Sequence, residues 1–129
     1  MFEFFTCVGC TADVHAHRSV ARSRRGYWAA ALRAGLQRVL DGNGMNLLVF
    51  GEGPMWHMLF TDRAPQNWRE IIATDMKKLA AFEQEVIAQG LFILPGNRRF
   101  ISIAHTEEDL QVTFEAVDRA CKAFLAKTR

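Results

Sequence analysis

Nine residues, Ser102 to Leu110 (SIAHTEEDL), constrain the fold of this chain most, because they stop one kind of structure and start another. Phe100, Ile101 and Ile103 form an aromatic and β-branched run, which predicts a strand over Phe100–Ala104. Thr106 then offers a hydroxyl of the type that caps a helix N-terminus. Asp109 stands three residues on, where a side chain can return the bond to the cap backbone. Glu107 and Glu108 add negative charge to the first turn, where the helix dipole favours it. Strand and helix must therefore sit side by side in one chain.

The remaining pattern agrees. Trp28, Leu32, Leu36, Val39 and Leu40 recur at helical spacing from Tyr27 onward, and Gly42 with Gly44 closes that helix. Leu47–Phe50 and Met55–Thr61 read as strands joined through Gly51-Glu52-Gly53-Pro54, a hairpin connection. The second of these is apolar on both faces and should be central and covered twice. After a turn at Asp62–Asn67, one long helix is expected. Its buried stripe is Trp68, Ile71, Ile72, Leu79, Phe82, Val86 and Ile87, its terminator is Gly90, and Lys77, Lys78, Glu83 and Glu85 face water. A second hairpin, Leu91–Leu94 with Phe100–Ala104, turns at Pro95-Gly96-Asn97. A last helix, Glu107–Lys127, buries Leu110, Phe114, Val117, Cys121, Phe124 and Leu125. The fold class is α+β: a small, mostly antiparallel sheet of two hairpins with three helices.

A chain of 129 residues holds one domain, burying about two-thirds of its unfolded surface. Residues 1–24 differ in texture and read as a poorly ordered leader, with the domain proper over 25–129. The net charge of +2 is too small to argue for nucleic-acid or membrane partners, the basic Arg18–Arg25 stretch lacks interleaved aromatics, and neither partner is expected. No apolar run is long enough to span a bilayer. The start, MFEFFTCVGC, lacks a basic leader and does not read as a secretory signal. Three cysteines, an odd number, fit a reducing, cytoplasmic setting.

Two segments carry a family resemblance. GEGPMWHMLFTD and GLFILPGNRRFISIAHTEEDL, with LRAGLQRVLDGNG before them, resemble the C-terminal small domain of class III pyridoxal-phosphate-dependent aminotransferases, glutamate-1-semialdehyde aminomutase-like branch. The resemblance runs from Tyr27 to the end. It implies amino-group transfer on an amino-acid-like substrate, with pyridoxal phosphate as cofactor of the complete enzyme and a homodimer or the missing large domain as partner. It also implies that Arg98 and Arg99 include a substrate-binding arginine, since several class III members hold the substrate carboxylate from this hairpin. The aminomutase equivalent is longer and carries a glutamate. The plainer reading is two solvent-facing arginines.

The chemistry of such an enzyme needs a lysine for the Schiff base and a backbone cradle for the phosphate. Lys77, Lys78, Lys122 and Lys127 all fall in helices, and no glycine-rich turn precedes a helix. No catalytic residue, cofactor-binding residue or metal ligand is therefore assigned, and the chain is expected to be truncated, to bind no cofactor and to be inactive alone. The alternative is a non-catalytic interaction or dimerisation module that docks on a separate large domain. Cys7 and Cys10, with His15 and His17, have zinc-ligand chemistry, but their loop is too short for the usual spacing. His105 reads as a hydrogen-bonded histidine at a helix start, His57 as a packed core histidine and Cys121 as an inert buried thiol. Asp62 reads as a cap or turn residue.

Overall fold

The structure, a computed structural model, describes the backbone of residues 2–3 and 16–128 and the side chains of 26–128. The expectations for Cys7, Cys10 and His15, and for the side chain of His17, lie outside the described residues.

Leu32, Leu36 and Leu40 repeat every four residues and are fully buried, which makes them the inner stripe of helix α1, Ala16–Gly42. The helix extends well upstream of Tyr27, whose side chain is exposed. Gly44, at φ +69°, closes it: the Gly44 amide donates to Asp41 O and the Met45 amide to Leu40 O, both at 3.0 Å. Only a residue at ease with positive φ completes that pair of bonds.

Chain reversal then delivers β2, Leu48–Phe50, and β3, Met55–Leu59, an antiparallel hairpin in the register Leu48 to Leu59, Val49 to Met58 and Phe50 to His57. Polar residues of α1 fasten it. Gln37 donates to Leu47 O at 3.0 Å and accepts from the Val49 amide at 2.8 Å, while Arg33 reaches Gly53 O at 2.9 Å. Strand β3 is central, as its apolar faces predict, and four of its five residues are buried.

The expected long helix is two. Trp68–Ile72 forms α2 and Met76–Ala88 forms α3. Between them the Thr74 hydroxyl donates to Ile71 O at 2.6 Å and Asp75 accepts the Lys78 amide at 2.9 Å. These short polar side chains compete with the helical ladder and start a new helix. The break releases the first part of the stripe: Trp68 is 67% and Ile72 53% exposed. Leu79, Phe82 and Val86 are buried as expected, but Glu83, placed toward water by the sequence reading, is completely buried.

The second hairpin does not close on itself. β4, Leu91–Phe92, pairs in parallel with β1, Phe2–Glu3, whereas β5, Arg99–Phe100, pairs antiparallel with β3. The Ile101 amide continues that line by donating to Pro54 O at 2.9 Å. The three-stranded sheet therefore runs β2-β3-β5.

The last helix, α4, spans Glu107–Lys127 with the predicted capping box: Asp109 accepts the Thr106 amide at 2.7 Å and Thr106 Oγ1 accepts the Asp109 amide at 3.3 Å. It packs on both α1 and α3. At the α1 crossing, a Cβ on Gly35 would lie 2.2 Å from Phe114 Cζ, so the ring occupies the space that glycine vacates. The fold class is α+β with a small antiparallel sheet, as the sequence predicts.

Candidate functional site

The expected substrate-binding pair, Arg98 and Arg99, stands where the 95–99 turn enters β5. The two side chains end in opposite environments: Arg98, just before the strand, is exposed and Arg99, its first residue, is buried. Arg98 makes no hydrogen bond or ion pair with any described residue.

Arg99 is sealed in. Its Nη2 donates to Glu83 Oε1 from α3, and its guanidinium carbon lies 5.1 Å from the centre of the Trp56 ring. Nε and Nη1 are buried without a hydrogen-bond partner, so the ring face supplies cation–π attraction to a guanidinium that is only partly satisfied. Burial pushes its pKa below the usual arginine value, while the Glu83 charge opposes that shift. The other Glu83 oxygen, Oε2, accepts the Gly96 amide at 2.8 Å. One carboxylate thus holds two points of the turn, Gly96 in its middle and Arg99 at its exit. Gly96 sits at φ +72°, which lets the chain bend tightly there.

Sequence reasoning missed Glu83, although the signal was present. Leu79, Phe82, Glu83 and Val86 follow the spacing of a buried stripe, so Glu83 occupies a core position. An acid on such a stripe requires a cation from elsewhere in the fold.

His57, beside this pair on β3, is buried and stacked on Phe50 at 5.7 Å. Its Nδ1 accepts the Met58 amide at 2.8 Å. Burial, with the Arg99 charge second, lowers its pKa to about 4. It is a neutral packed histidine at physiological pH, as expected. His105 is also buried, and its Nδ1 accepts the Ser102 amide at 2.9 Å just ahead of the Thr106 cap. Cys121 is buried and its thiol pKa is raised to about 11, chiefly by burial, which removes thiolate reactivity.

An open groove of about 380 Å³ lies elsewhere, between Phe60–Arg63 and the α2–α3 break, and exposed Asp62 lines it in a bend. Its hydroxyls are spent locally, Thr61 on Arg63 O and Thr74 on Ile71 O. Neither Arg98 nor Arg99 lines it. No group of three or more potential metal ligands occurs among the described residues. No helix among them is long and apolar enough to cross a membrane.

Comparison with known proteins gives the arrangement a context. A glutamate-1-semialdehyde 2,1-aminomutase of Sorangium cellulosum is 31% identical over 96 residues, covering 73% of this chain and 22% of its own. A second, from Listeria innocua, is 30% identical over 93 residues, covering 70% and 22%. The chain is homologous to the glutamate-1-semialdehyde aminomutases. No family model matches it. The fold agrees: an omega-transaminase from Sphaerobacter thermophilus superposes with a TM-score of 0.74 at 19% identity, over 82% of this chain and 25% of that one. The internal aldimine form of a Sphingopyxis FumI protein superposes at 0.68 with 29% identity, over 82% and 23%. The resemblance to class III pyridoxal-phosphate-dependent aminotransferases is thus shown. The chain spans about a fifth of the length of the curated relatives it matches.

The described residues do not fit pyridoxal phosphate. A Schiff-base lysine has to be sheltered so that its amine can shed its proton, and all four lysines are exposed. Lys122 pairs with Asp118, Lys127 with Glu85, and Lys78 lies over the Phe60 ring. Among the described residues, the positive-φ glycines 44, 51, 53, 90 and 96 all lead into strands or join them, so none of these opens a helix as a phosphate cradle.

Proposed function

We propose that this chain is the C-terminal small-domain part of a class III aminotransferase or aminomutase. In that role it presents Arg98 to the carboxylate of an amino-acid-like substrate. Homology to the aminomutases supports the family, and the observation that carries the residue assignment is the contrast at the turn: Arg99 is committed to Glu83, whereas Arg98 is exposed and unpaired. A planar guanidinium can grip a carboxylate through two parallel hydrogen bonds, orienting it as well as binding it.

Amino-group chemistry in this family relies on the electron-withdrawing cofactor. With four solvent-exposed lysines, this chain supplies no sheltered amine to hold it, so a complete enzyme takes its Schiff-base lysine from other polypeptide. A second reading, an interaction module that docks on a separate large domain or on its own copy, draws support from the exposure of Trp68 and Ile72 on α2.

The first test is to mix the purified chain with pyridoxal phosphate and follow the imine absorbance band before and after borohydride. The expected result is slow, non-stoichiometric labelling spread over several lysines. A one-to-one adduct at a single lysine would overturn the claim that the cofactor-binding lysine lies elsewhere.

A further inference from the structure

We propose that Glu83 is a positioning residue for Arg98: its carboxylate fastens the 95–99 turn at Gly96 and at Arg99, so that Arg98 between them is held outward for a carboxylate-bearing ligand. The inference rests on the reading above, that this turn meets a substrate carboxylate, and adds the device that orients it.

Three observations carry it. Both Glu83 oxygens are used on this turn, Oε2 by the Gly96 amide at 2.8 Å and Oε1 by Arg99 Nη2. Glu83 is fully buried on α3, so the anchor is rigid and water does not compete for it. The two anchor points bracket Asn97 and Arg98, and the Asn97 amide adds a turn bond to Leu94 O at 3.2 Å. The pairing also sets the charge presented outside. Glu83 neutralises Arg99 locally, so Arg98 is the guanidinium offered to a ligand at this turn. An arginine on a fixed backbone loses less freedom on binding than one on a loose loop, which raises affinity without adding a contact.

The test uses the full chain and glutarate, an amine-free dicarboxylate, in an NMR titration. In the natural sequence, glutarate should shift the amides of residues 96–99 and the Arg98 side chain in a saturable way, and Arg98→Ala should abolish the effect. The double variant Glu83→Leu, Arg99→Met removes one charge of each sign, leaving net charge unchanged while deleting both fastenings. It should bind glutarate roughly threefold to tenfold more weakly, with hydrogen-exchange protection lost at Gly96 and helical content kept.

Equal affinity in the double variant overturns the role of Glu83 while leaving Arg98 as the binding group. Weaker binding with Gly96 still protected also overturns it, because the effect would not act through the turn. Absence of glutarate binding, or binding indifferent to Arg98→Ala, overturns the Arg98 assignment and the positioning role with it. Should the double variant not fold, the natural chain decides: a Gly96 amide that exchanges as fast as an unstructured glycine contradicts the clamp, and a protected one supports it.

Discussion

The start of α4 and the 95–99 turn both bend the chain sharply within a few residues of each other, yet they are stabilised in different ways. At Thr106 every fastening is local: the cap and Asp109 exchange bonds across three residues. At the turn the fastenings come from α3, across 13 residues to Gly96 and 16 to Arg99. The first is an exposed capping box that sequence spacing reveals. The second is a buried charge pair that only the folded chain assembles. A local device ends an element, whereas a long-range one fixes where that element sits.

Removing one partner of the long-range device should have the largest effect. Glu83→Ala leaves Arg99 buried without a counter-charge, and urea unfolding should show a loss of about 3–5 kcal/mol. A loss below about 1 kcal/mol would place the turn under local control, as at Thr106.

Acid should bring the next largest effect. The folded-state pKa of His57 is about 4, below the roughly 6.5 of an unfolded histidine. Between those values the unfolded chain binds the proton and the folded chain does not, so stability falls as pH drops through that window. The full penalty, about 3 kcal/mol, is reached below pH 4, and above about pH 6.5 there is none. His57→Gln, compared with the natural chain by urea unfolding at pH 7 and pH 4.5, should flatten most of this slope. An unchanged slope would mean that His57 is protonated inside the fold.

The smallest effect belongs to the local cap. Thr106→Ala should lower stability by about 1 kcal/mol, read as a small shift in the urea midpoint with an unchanged slope. A loss as large as that of Glu83→Ala would erase the distinction between the two bends.

The legibility of the fold follows the same division. Helix α4, the β2–β3 hairpin and the central place of β3 were all readable, since each depends on periodicity, turn residues or a cap within one segment. The break at Thr74–Asp75 was missed because Trp68, Ile71 and Ile72 continue the apolar spacing, although Asp75 is itself a capping residue. The partner of β5 was missed because the 95–99 turn suggests a hairpin with β4. Contacts of Arg99 with Glu83 and β3, and of Ile101 with Pro54 just ahead of β3, draw them away instead. The candidate site was half legible. Arg98 and Arg99 can be named from the sequence, but which one faces outward depends on Glu83, whose charge by itself predicts a place in water.

The most direct test of this account is a double-mutant cycle on Glu83 and Arg99, built from Glu83→Leu, Arg99→Met and the double variant and measured by urea unfolding. Each single change should be severe, while the double change is close to neutral, giving a coupling energy of roughly 3 kcal/mol or more. Additive single effects, with a coupling near zero, would contradict the long-range clamp and return the 95–99 turn to its own local bonds.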